Sequence, residues 1–109
     1  MNFVKQRDGV FEIHKSGELV GEQNEFEVVI EIHGKRKDCW RIGFYHNDEV
    51  YLIDLIGQSI INFAKYVASL AARYKKTHQV KTRITTTSLP HTTKAWSHQI
   101  IEFCHVVDL

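Results

Sequence analysis

Only one stretch of this chain carries a helical period. Ile56, Ile60, Phe63, Val67, Leu70 and Tyr74 recur at intervals of 4, 3, 4, 3 and 4, which draws one continuous apolar stripe along a helix. Ala64, Ala68, Ala71 and Ala72 favour helix intrinsically, and Gln58, Asn62, Lys65, Ser69 and Arg73 fill the polar side. Twenty residues of helix would span about 30 Å, enough to cross a whole sheet. Asp48 or Asp54 is placed to cap its start, and "KKTH" (75–78) to end it with cations that suit the helix dipole. A chain with one such stripe has to build the rest of its core from strands.

The flanking sequence reads that way. Asp8-Gly9 is a two-residue turn between Phe3–Lys5 and Val10–Ile13, and Lys15-Ser16-Gly17 is a second turn. "GEQN" (21–24) reads as a polar connector. In "EFEVVIEIH" (25–33), Phe26, Val28, Ile30 and Ile32 share one face. "GKRK" turns the chain into "DCWRIGFY", where Trp40, Ile42 and Phe44 alternate with Cys39, Arg41, Gly43 and Tyr45; Arg41 is placed to pair with the glutamates of the preceding strand. His46-Asn47-Asp48 is a further turn, and "EVYLI" after it suits a strand as well as a helix start. "VKTRITTTS" is rich in β-branched residues, Leu89-Pro90 breaks it, and "HQIIEFCHVVDL" follows. Apolar residues on both faces of that last segment suggest a central or doubly covered strand. The expectation is a single α+β domain over 1–109, an antiparallel sheet of about five to six strands with one long helix packed across it, in the order ββββ-α-ββ.

Length and composition agree with one soluble domain. The chain has 109 residues, 43% apolar and 25% charged, which sustains one core without staples. Two cysteines, Cys39 and Cys104, are too few for a disulfide scaffold and suit a reducing compartment. No run approaches a membrane span, and "MNFVKQRDGV" lacks the apolar stretch of a signal peptide. The expected location is therefore cytoplasmic, with no membrane partner.

Charge is divided along the chain. Residues 1–60 carry 7 Lys/Arg against 11 Asp/Glu, whereas residues 61–109 carry 7 against 2. The simplest outcome is that the halves interleave and neutralise each other. The alternative is two functional faces: an acidic one of Glu25, Glu27 and Glu31, and a basic one of Lys81, Arg83 and Lys94 beside Trp96. Lys75, Lys76, Lys81, Arg83 and Lys94 also form a basic cluster suited to a phosphate backbone, with Tyr74 and Trp96 as stacking platforms. Against dedicated nucleic-acid binding stands a net charge of only +1.

Catalytic markers are sparse. His14-Lys15-Ser16 and His91-Thr92-Thr93 resemble the paired motifs of two-histidine phosphoesterases, a resemblance that implies His14 and His91 as acid and base on a phosphodiester. It covers those two tripeptides alone, and one runs into Gly17 while the other follows Pro90, where turn chemistry accounts for them. There is no nucleophile elbow, glycine-rich phosphate loop, dinucleotide fingerprint or metal-ligand spacing, so neither cofactor nor metal is expected. What the composition does offer is interface-anchor residues: Trp40, Trp96, Tyr45, Tyr51, Tyr66, Tyr74, Arg41 and Arg73.

The resulting expectation is a non-enzymatic protein-binding module, an inhibitor-type or accessory factor docking on a larger assembly. Nucleic-acid binding through the basic cluster is the alternative. Because one helix covers one side of a sheet, a homodimer through Ile100, Cys104 and Val106 is also expected.

Overall fold

Three tight turns define the hairpins of the main sheet. A computed structural model describes residues 1–90 and 97–109; of residues 89, 90, 97 and 98 it describes the backbone. Strand β1 (Phe3–Arg7) turns through Asp8 and Gly9 into β2 (Val10–Lys15), which turns through Ser16 and Gly17 into β3 (Glu18–Gln23). Strand β6 (Trp40–His46) turns through Asn47 and Asp48 into β7 (Glu49–Leu55). All six turn residues have φ between 50° and 85°, the positive pair that a two-residue hairpin needs to match strand twist. Asn, Asp and Gly tolerate that region best. "GEQN" is thus mostly strand, not connector.

Between these hairpins the chain does something the alternation pattern hides. Residues 25–35 form two strands, β4 (Glu25–Val28) and β5 (Ile30–Lys35), separated by Val29 alone. They belong to different sheets. One sheet has six strands in the order β3-β2-β1-β7-β6-β5, and the other has three in the order β4-β8-β9, with β8 (Val80–Pro90) and β9 (Ser97–Asp108). A slip in the β5–β6 pairing between Ile30 and Ile32 then reverses the alternation. Ile30 is fully buried, whereas Ile32, expected on the same face, is 57% exposed.

The fold is α+β as expected, but its larger sheet is mixed: β1 runs parallel to β7 through Phe3–Leu52 and Val4–Ile53. The remaining pairings are antiparallel. Phe11, Phe44, Ile42 and Ile53 from the six-stranded sheet meet Phe26, Ile84 and Ile101 from the smaller one in a shared core. Each such side chain contributes about 1.5–3 kcal/mol by leaving water.

Helix α1 (Gln58–Ala71) is shorter than the stripe implies. Neither Asp48 nor Asp54 caps it, because β7 runs through Leu55 and Gly57, at φ 53°, makes the corner. Ile56 and Tyr74 fall outside the helix and are 65% and 95% exposed. The buried face is Ser59, Phe63, Tyr66 and Leu70, so Tyr66 belongs to the core rather than its rim. Tyr74, at φ 60°, closes the helix as the Lys75 amide bonds back to the Leu70 carbonyl. Lys75 and Lys76 therefore lie beyond the last turn. Strand β9, expected to be central or doubly covered, is the edge of its sheet; β8 is central. The helix packs across as expected and is tied to that edge by Ser59 and Asn62. Among the described residues no helix is long and apolar enough to cross a membrane.

Candidate functional site

The helix has two apolar faces, and only one is used up by the core. Phe63, Tyr66 and Leu70 pack inward, with Tyr66 stacked on Phe103 at 6.0 Å and Phe63 edge-on to the same ring at 5.0 Å. One notch round the helix, Ile60, Ala64, Val67, Ala68 and Ala71 form one wall of a groove of about 370 Å³. His33 and Trp40, near the turn of the β5–β6 hairpin, form the other wall. The volume suits a bulky apolar side chain or a small ligand. Three alanines on one wall leave the space that larger residues would fill.

Aromatic contacts hold the opposite wall in place. His33 stacks on Trp40 at 5.9 Å and meets Phe63 edge-on at 5.2 Å. Trp40 is half-buried against the core, and its Nε1 is buried without a hydrogen-bond partner. A buried indole N–H lacking an acceptor costs about 1–3 kcal/mol. Lys35 stands opposite Trp40 in the ladder, so the two side chains share a face and put a cation beside the indole. The site combines an apolar trough with a positive charge on the neighbouring strand position. It suits an apolar group flanked by a carboxylate.

Arg83 of the expected basic face is bound to Glu25 and Glu27 of the expected acidic one. Glu27 pairs with Arg83 in the β4–β8 register, and Arg83 bonds Glu27 at 2.7 Å and Glu25 at 3.1 Å. These carboxylates raise the guanidinium pKa above its usual value, Glu27 first through its hydrogen bond. Glu31 is on the other sheet, in β5. Lys81, on β8, pairs in register with Val107 of β9. Lys94, Trp96 and His91 lie outside the described residues. Arg41 does not reach the glutamates either: it grips Asp54 on β7 through two bonds of 2.7 and 3.1 Å. The residues expected to self-associate are all on β9. Ile100 and Cys104 lie opposite Thr87 and Arg83 with Glu102 between them, and Val106 is the extra residue of a bulge.

His14 is committed to its sheet neighbours, stacked on Phe3 at 4.8 Å and 3.4 Å from Glu12. Both cysteines are free, Cys39 half-buried and Cys104 exposed. Burial, followed by the nearby Asp54 charge, raises the Cys39 pKa. Among the described residues, no cluster of three or more His, Cys, Asp or Glu side chains is placed to hold a metal ion.

Sequence reasoning found Trp40 as an anchor type but missed its groove. The signal was present: Ile60, Ala64, Val67 and Ala71 recur at 4, 3 and 4, a second stripe beside the first. Read as helix-forming filler, the alanines concealed it. No known protein family, curated protein or solved structure matches this chain.

Proposed function

We propose that the protein is a non-enzymatic binding module, an inhibitor-type or accessory factor that docks on a larger protein through the groove between α1 and the β5–β6 hairpin. The observation that carries this reading is the open apolar trough itself, walled by Ile60, Ala64, Val67 and Ala68 on one side and by His33 and Trp40 on the other. A partner segment fits if it supplies an apolar side chain for the trough and a carboxylate beside it. Lys35 favours an acidic segment. Aromatic anchors with a polar handle are the usual centres of such interfaces.

Ala68 is exposed on the groove wall, so Ala68→Arg blocks the trough at little cost to the fold. Co-purification from the native host should retain a specific protein on the wild type and lose it on Ala68→Arg. Equal retention by both proteins, or turnover of a small molecule by the wild type, overturns the reading.

One observation favours nucleic acid as a second reading. Tyr74 is 95% exposed and directly precedes Lys75 and Lys76, a ring beside two cations. Oligonucleotide affinity should then fall with salt at a slope of roughly −1 to −2 on logarithmic axes and weaken in Tyr74→Ala. Absence of binding at low salt removes this reading.

A further inference from the structure

The outer face of the six-stranded sheet is arranged in rows that cross the strands. Leu19, His14, Phe3, Leu52, Gly43 and Ile32 form one row, a residue from each strand in spatial order. His14 lies flat on Phe3, and a Cβ at Gly43 would stand only 2.8 Å from Ile32 Cγ1. The row is a closed apolar band containing one imidazole. Beside it Tyr45 pairs with Val50, and Met1 continues the outward alternation of β1. Met1, Leu19, Ile32, Tyr45 and Val50 are between 44% and 77% exposed. Apolar side chains gathered on one face in this way mark an interface.

The opposite flank of the band is a charged row: Glu22 on β3, Glu12 on β2, Lys5 on β1, Asp54 on β7 and Arg41 on β6. Its signs are what select the occupant. A twofold axis parallel to the strands and passing between β1 and β7 exchanges β1 with β7, β2 with β6 and β3 with β5. Lys5 then opposes Asp54 of the second copy, and Glu12 opposes Arg41 of the second copy. Glu22 meets the uncharged Gly34, which shares the row with Arg41. No like charges meet.

The same operation lays Phe3 on Leu52, Leu19 on Ile32, and the bulk of His14 on the dip at Gly43. A recess of about 450 Å³ opens on the axis where β1 and β7 part, with Phe3, Lys5, Leu52 and Asp54 among its walls. A twofold axis across the strands would instead press the charged row onto Tyr45 and Val50, desolvating its charges with no opposite charge across the interface. The axis along the strands also gives the near-aligned packing that stacked sheets adopt.

We infer that the protein self-associates as a twofold dimer through the outer face of its six-stranded sheet. The surface is separate from the α1 groove, so either reading can fail without the other.

Sedimentation across a concentration series should give a species of twice the 12.7 kDa chain mass. Ile32→Lys changes a side chain already 57% exposed, keeps the fold, and should weaken the dimer at least about tenfold. Glu12→Arg and Arg41→Glu should each be monomeric alone. Mixed together they should form a heterodimer, because the arginine introduced in one chain then meets the glutamate introduced in the other, while the second contact stays native. If Arg41→Glu fails to fold, the Ile32→Lys and Glu12→Arg results still decide the question. A wild type that stays monomeric, an Ile32→Lys protein that dimerises normally, or folded variants whose mixture stays monomeric each overturns the inference. So does a monomeric wild type that instead binds a different protein through Ile32.

Discussion

Thr82 is fully buried near the start of β8, and its hydroxyl survives there because Tyr66 reaches down from the helix to bond it at 2.5 Å. Burial raises the Tyr66 pKa above that of a free tyrosine, with the bond to Thr82 opposing the shift. Tyr66→Phe would strand the Thr82 hydroxyl and should cost about 1–2 kcal/mol in urea denaturation. Adding Thr82→Val should recover most of that loss, since removing both partners is nearly neutral. Asp54 behaves differently because it is half-exposed. The Arg41 hydrogen bonds, the largest cause, hold its pKa below the usual 3.8. A carboxylate depressed in the folded state stabilises it above its unfolded pKa, and that contribution disappears as pH falls through the folded value. Thermal melts should therefore show wild type losing its advantage over Asp54→Asn below about pH 4, with a difference above that pH of under about 1 kcal/mol, as befits an exposed pair.

At the scale of elements, α1 and β9 solve a problem together. An edge strand presents unpaired amides and carbonyls that invite aggregation, and β9 is such an edge. The helix covers it with specific bonds: Ser59 Oγ accepts the Ile101 amide at 2.9 Å, and Asn62 Nδ2 donates to the Ile101 carbonyl at 3.1 Å. Ser59→Ala should cost about 1–3 kcal/mol by leaving a buried amide unmet, and amide exchange at Ile101 should accelerate. A variant with unchanged stability and exchange would mean that the helix shields the edge by bulk alone. This arrangement was only half visible in the sequence. The stripe announced a helix, and Asp8-Gly9, Ser16-Gly17 and Asn47-Asp48 announced hairpins, because both signals are local. The sheet that receives each strand is decided by distant packing. The pairing slip at Glu31 flips Ile32 outward without altering the alternating letters of "EFEVVIEIH". The groove escaped notice for a related reason: its identity depends on Trp40 arriving opposite three alanines, and no spacing along the chain encodes that meeting.

For the molecule as a whole, the charge division of the sequence is resolved by interleaving. Arg83 from the basic half lies between Glu25 and Glu27 of the acidic half, while Lys15 and Glu49, both of the acidic half, pair across β2 and β7 at 2.9 Å. The sheets that carry these pairs are joined at one corner by a single residue, Val29, between β4 and β5. One residue spans about 3.8 Å between successive Cα atoms, so the joint has no slack. Opening the three-stranded sheet by even a strand width must pull on β5, and through it on the ladder of the larger sheet. The two layers should consequently share one cooperative transition, with Val28 and Ile30 amides exchanging at the same free energy near the global value. Inserting a few glycines at Val29 should uncouple them, separating the two exchange rates and broadening the melt. Val29 then acts as a hinge pin, setting whether the protein comes apart in one event or two.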